Sequence, residues 1–298
     1  MTIAAPSQSP SSPLDIPDRA PPIPIHSSRA LLAFFAFTFM WTWGLWGLVG
    51  LIRPQAPGLS GALYLLGAFG PGIAAFAVVL AFEGAAGLRR WLGQCLRWRV
   101  GWRWYALVIV APTLILWAAL EIHAALDGTI PVSPYAGRLP AAIAEFALIA
   151  VFGGPLGEEF GWRGYALPAL SARFGWRGAG LLIGVAWGLW HLPLLFMANT
   201  AQADLPVALF LISTVGLSVV FARLGVQTGF SVVPALLLHT VINWWSMIVP
   251  IAADGRAYAL VAGIATLVSL IACLAPGPKG RPPQGAKLPA DETPRLLR

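Results

Sequence analysis

Charge is scarce in this sequence. Asp, Glu, Lys and Arg make up 10% of its 298 residues, against about 25% in an ordinary soluble domain. Such a chain lacks the polar surface to cover a water-exposed globule. Its two cysteines, Cys95 and Cys273, belong to no CxxC pair, which argues against a disulfide framework or a thiolate zinc site. There is no HExxH, so the zincin pattern is missing, and no GxSxG to set up a serine nucleophile. The N-terminal stretch has no positive segment followed by an apolar one, so it does not read as a signal peptide.

What the chain does have is apolar length: 58% of its residues are hydrophobic, which excludes disorder for most of it. Seven stretches carry no acidic or basic residue: 30–52, 54–82, 104–120, 178–203, 206–222, 224–253 and 257–278. A membrane helix needs about 20 predominantly apolar residues, and each stretch supplies one. The run 139–157 supplies another, with Glu145 inside it. The expected fold is therefore all-α, a polytopic membrane helix bundle with about eight transmembrane helices. These runs lack the alternation of an outer-membrane barrel. The Pro- and Ser-rich residues 1–28 read as a disordered cytoplasmic tail, 29–275 as the bundle, and 276–298 as a basic cytoplasmic tail.

The net charge of +7 comes from 19 basic and 12 acidic residues. The basic residues sit between apolar runs, which points to membrane orientation and not to nucleic acid. With the N-terminus inside, 16 of them fall in cytoplasmic segments, and only Arg53, Arg138 and Arg256 fall outside. That imbalance predicts an even helix count with both termini cytoplasmic, in a membrane such as the bacterial inner membrane. The segment 88–104, with Trp91, Trp98, Trp102 and Trp104 among its Arg residues, reads either as an interfacial amphipathic piece or as a cytoplasmic loop with aromatic anchors.

Ionisable groups inside a membrane are costly and often mark function. The densest cluster is Gly157-Glu158-Glu159-Phe160-Gly161-Trp162-Arg163. Adjacent carboxylates repel unless a cation is near. Arg163 stands four residues after Glu159, on the same helix face, while Glu158 is rotated by about 100°. The spacing predicts that Arg163 holds Glu159 and leaves Glu158 free to act. Further along are His191, in Trp187-Gly188-Leu189-Trp190-His191, and His239, four residues before Asn243. Both His residues lie roughly 21–24 Å along a helix from a cytoplasmic Arg, and Glu158 reaches a similar depth if its helix continues. Pro155, Gly161, Gly164 and Pro168 are candidate breaks in it. Glu121, His123 and Glu145 fall near helix ends, where they reach water, and carry no assigned role.

Two His, a Glu pair and an Asn at one depth suit hydrolysis. Glu158, His191 and His239 are a possible ligand set for Zn²⁺, which acidifies a bound water. Without metal, a carboxylate and imidazoles can activate water directly. Asn243 is placed to hydrogen-bond an oxyanion. A non-catalytic scaffold, with the cluster serving packing or partner binding, is the competing class. A proton-relaying transporter is a third, disfavoured because no paired half is evident.

At these residues the chain resembles the CPBP family of CAAX-protease and bacteriocin-processing intramembrane proteases, and in particular its type II CAAX prenyl endopeptidases. Glu158-Glu159-xxx-Arg163 fits their EExxxR motif and His239-xxx-Asn243 fits HxxxN/D. His191 fits FxxxH with Trp187 in place of Phe. The resemblance covers about 142–248 within a protease-like core of about 139–250. It implies a helical membrane protease whose chamber opens to the cytoplasmic side and whose substrate is a peptide or protein at the lipid bilayer. By that likeness Glu158 activates water, Glu159 and Arg163 support it, and His191, His239 and Asn243 position the water or a metal and stabilise the oxyanion. Some family members are immunity proteins without demonstrated proteolysis, which keeps the scaffold reading open.

Overall fold

The computed structural model of the protein describes residues 27–53, 56–126, 128–203 and 205–276. Most of the two expected tails, including Arg19, Lys279, Arg281, Lys287, Arg295 and Arg298, lies outside the described residues. Within them the chain is helical, with no strand: α1 (Ser28–Ile52), α2 (Pro57–Ala68), α3 (Gly70–Cys95), α4 (Trp102–Ala125), α5 (Leu139–Phe152), α6 (Pro155–Gly161), a π-helical turn (Trp162–Ala166), α7 (Leu167–Trp190), α8 (Leu192–Leu195), α9 (Val207–Gln227), α10 (Val232–Ile248), a 3-10 turn (Ile251–Ala253) and α11 (Gly255–Leu274).

Six helical runs among the described residues are long and apolar enough to cross a membrane. One of them, Leu139–Trp190, spans 52 residues and covers the expected fourth and fifth helices. The expected seventh is α10, with 17 residues. The protein is thus an all-α polytopic membrane bundle. Its outward faces are apolar: Leu51 is 76% exposed, Met40 70% and Leu32 69%. Bilayer hydrocarbon accepts such residues, whereas water would not.

Element ends follow local chemistry. The Ser27 hydroxyl accepts the Ala30 N–H at the start of α1, and Asp254 accepts the N–H groups of Arg256 and Ala257 at the start of α11. Both satisfy donors that a helix start leaves open. The run 54–82 is split between α2 and α3, and α3 is kinked at Gly84, where φ is 67°, before it ends at Cys95. Segment 88–104 thus combines a helical piece set off by this kink with a loop at 96–101. Its first eight residues end α3, and Trp102 opens α4. The expected fifth helix stops at Trp190, well short of residue 203.

The predicted fourth helix does not continue. It breaks at Gly153–Gly154, where Gly154 has φ 106°. A new helix, α6, then carries the two glutamates. Helical geometry is interrupted again by the π-helical turn and at Gly175. The depth arithmetic for Glu158 therefore loses its basis. Of the candidate breaks, Gly161 ends α6 and Gly164 lies in the π-helical turn, while Pro155 and Pro168 occupy first-turn positions, where proline is tolerated.

Two glycine-lined contacts hold these pieces together. On α7, Gly180, Gly184 and Gly188 recur every fourth residue and lie against α9. A Cβ on Gly184 would stand 2.7 Å from the Val215 Cα, and one on Gly180 would stand 2.9 Å from the Ala222 Cβ. Thr214, Ser218 and Ala222 form the matching small, buried stripe on α9. Where apolar burial gives no gain over lipid, such close backbone contact is a main source of helix association. The start of α3 meets α6 in the same way, with a Cβ on Gly72 falling 2.7 Å from the Gly157 carbonyl oxygen. Aromatic packing fills the centre. Phe34, Trp46, Trp162, Trp190 and Phe221 are fully buried, and Trp46 and Trp190 pack with ring centroids 4.8 Å apart.

Gly184→Val should push α7 and α9 apart and cost about 1–3 kcal/mol, as overpacking does. Thermal unfolding in detergent should show a lowered midpoint, and an unchanged one would contradict the contact.

Candidate active site

The break before α6 places two carboxylates in the protein interior. Glu159 is 0% exposed. Its Oε1 accepts a hydrogen bond from Arg163 at 2.8 Å and another from His239 Nδ1 at 2.8 Å. Arg163 is 2% exposed. Its guanidinium carbon lies 4.2 Å from the Trp187 ring centroid and 3.9 Å from that of Phe221. A cation between two aromatic faces is favourable, the more so when desolvated. The four-residue spacing thus produces a salt bridge within one turn, across the start of the π-helical stretch.

Glu158 is also buried, but its surroundings differ. Oε2 accepts the Trp187 indole N–H at 2.5 Å. Oε1 points to Gly154, where any Cβ would collide with it. The positive φ favours glycine there, and a side chain would also displace this carboxylate oxygen. The expectation that Glu158 is left free is therefore modified: its partner is a neutral donor, while the guanidinium goes to Glu159.

His191 terminates α7, and its Nδ1 lies 2.7 Å from the Trp187 carbonyl oxygen. A carbonyl can only accept, so Nδ1 carries the proton and Nε2 of the neutral ring presents a lone pair. His239, on α10, directs Nδ1 to the Glu159 carboxylate, and the same reasoning leaves its Nε2 as the second lone pair. Both rings meet Trp187 edge-on at 5.5 Å between centroids. Phe210 borders His191 and Phe221 borders His239.

Asn243 is one turn beyond His239, but its Nδ2 donates to the Gly153 carbonyl oxygen at 3.2 Å. It therefore ties α10 to the break preceding α6, and one amide N–H is left over. The six sequence-predicted residues are thus gathered around α6, with Asn243 attached through the backbone. Sequence reasoning did not find Phe221, nor Tyr64, which is close enough to Glu158 to sense its charge. No local motif marks either one. Trp187 was noted only as an aromatic.

The chemistry available is that of an ionisable carboxylate beside two imidazole lone pairs, walled by aromatic rings. A Zn²⁺ site asks more. Nδ1 partners on both imidazoles are the kind of support that metal-ligating His receives. Yet among the described residues no three His, Cys, Asp or Glu side chains converge closely enough to hold a metal ion. The donor types suit zinc and the arrangement does not. Of the residues without assigned roles, Glu121 is exposed and Glu145 half-buried. His123 does not reach water: it is 1% exposed, with Nε2 3.5 Å from Asp254 Oδ2, because α11 begins against the end of α4.

Fold and site define a polytopic helical membrane protein with a buried Glu/Arg/His centre. Residues 140–245 match the family model described as type II CAAX prenyl endopeptidase Rce1-like, so this segment is similar to that family. The match contains all six candidate residues and Trp187. The chain is also 32% identical over 92 residues to a protein named CAAX prenyl protease 2 from Methanococcus maripaludis. That alignment covers 29% of this chain and 34% of the relative, so it spans about a third of the relative's length.

Arg163→Met should strand the buried Glu159 charge and destabilise the protein by about 3 kcal/mol, the low end for a broken buried pair, since His239 still donates. Adding Glu159→Gln should recover much of the loss. Thermal unfolding of both variants checks this, and an equal loss in the two would contradict it.

Proposed function

We propose that this protein is an intramembrane endopeptidase in which Glu158 is the general base. The observation that carries the reading is the unequal treatment of the two carboxylates. Glu159 Oε1 accepts both from the charged Arg163 and from His239, while Glu158 accepts the Trp187 N–H alone among the described side chains. Glu158 takes a proton from water, and the resulting hydroxide adds to the scissile carbonyl carbon. The C–N bond then breaks, and Glu158 returns the proton to the leaving amine. While Glu158 takes one hydrogen of the water, the other is accepted by an Nε2 lone pair of His191 or His239, which orients the attacking oxygen. The remaining Asn243 N–H faces the developing oxyanion. Glu159 and Arg163 hold His239 in place.

The substrate is a peptide or protein segment at the membrane, reached from the cytoplasmic side. The name of the matched relative makes a prenylated C-terminal peptide the first substrate to assay, beside unprenylated ones. The 16-to-3 distribution of basic residues supports two cytoplasmic termini. Zn²⁺ bound by Glu158, His191 and His239 is the competing way to hold the water, and it requires the three to draw together.

Purified protein in nanodiscs should cleave members of such a peptide library, and Glu158→Gln should lower the rate by about 10²–10⁴-fold. A wild-type rate in that variant would refute the role of Glu158. Loss of a partner-binding effect without any peptidase activity in the parent would favour the scaffold reading. Elemental analysis should find no stoichiometric zinc, and chelators should leave the rate unchanged. Zinc at one equivalent with chelator-sensitive activity would replace the metal-free scheme.

A further inference from the structure

Trp187 touches more of the centre than any of the six sequence-predicted residues. Its indole N–H meets Glu158, its ring face meets Arg163, its ring edges meet His191 and His239, and its backbone carbonyl accepts from His191. It is 4% exposed. Its rotation about the helix axis is fixed by neighbours in sequence, because Gly184 and Gly188 press α7 against α9.

We propose that Trp187 is the positioning residue of the site: its indole N–H fixes which way the Glu158 carboxylate faces. The inference rests on the reading of Glu158 as the base. A carboxylate on a short side chain can turn about its last bond, so a buried one without a fixed donor presents its oxygens in several directions. Here the N–H captures Oε2, and the helix break at Gly154 makes room for Oε1. One oxygen is tied and the other has a set direction.

The donor has a second property that matters. Indole is neutral and donates a single N–H. It orients Glu158 without supplying the full positive charge that Arg163 gives to Glu159. A phenylalanine would pack equally well against Arg163 and the imidazoles but would leave the carboxylate untethered. The aromatic position four residues before His191 therefore carries a polar function in this chain that ring packing alone does not require.

The test has an activity arm and an arm independent of activity. Trp187→Phe, in nanodiscs, should lower kcat about tenfold to a hundredfold through loss of orientation, with KM within twofold and a thermal midpoint lowered by no more than the loss of one buried hydrogen bond. Unchanged kcat in Trp187→Phe, with Glu158→Gln inactive, would overturn the role of Trp187 and leave that of Glu158 standing. Separately, ¹⁵N-labelled indole spectra should contain one strongly downfield N–H resonance. It should disappear in Trp187→Phe and move upfield in Glu158→Gln. This arm reads the hydrogen bond even if the parent cleaves nothing or Trp187→Phe fails to fold, and a resonance unmoved by Glu158→Gln would overturn the inference.

Discussion

A buried carboxylate must be paired, and Glu159 is the point about which the protein is arranged. In the interior of a membrane bundle an isolated charge is costly. Glu159 is relieved by Arg163 from the next turn and by His239 from α10. Arg163 in turn lies between Trp187 of α7 and Phe221 of α9. One ionic contact therefore commits α6, the π-helical turn, α7, α9 and α10 to fixed relative positions. Moving any of them would expose either a charge or its partner.

That arrangement also separates two chemically identical neighbours. Glu158 and Glu159 differ by one position on a helix, yet one receives a guanidinium and an imidazole and the other an indole N–H. The difference is imposed by rotation: about 100° between successive residues turns one carboxylate to α10 and the other to Trp187. Both imidazoles are oriented through Nδ1 and present Nε2. The backbone carbonyl of Trp187 and the side chain of Glu159 thus act as tautomer selectors.

The close approaches that make this possible depend on missing side chains. Gly72 and Gly157 bring α3 and α6 within backbone contact, and Gly180, Gly184 and Gly188 do the same for α7 and α9. In lipid, where apolar surface gains little by burial against another helix, contact at this range supplies the attraction. The outward faces need only be apolar, which is why so much of the sequence is interchangeable in kind. The polar residues that remain inside are consequently few and specific.

Some of this is decided within single segments. Apolar run length determined that the chain is helical and membrane-spanning. The four-residue step from Glu159 to Arg163 determined their pairing, because positions four apart share a helix face whatever surrounds them. The steps from Trp187 to His191 and from His239 to Asn243 likewise put each pair on one face. Other features belong to the tertiary structure alone. The break at Gly154 replaced a continuous fourth helix with a short one, since a glycine's φ is set by its setting and not by its neighbours in sequence. His239 bonds Glu159 across 80 residues, Asn243 bonds the Gly153 backbone and not another of the six candidate residues, and Trp187 reaches Glu158 with its N–H. His123 is buried by the start of α11. Each of these depends on how far one helix is rotated and how close it lies to another, and that is fixed by packing at contacts no local spacing encodes.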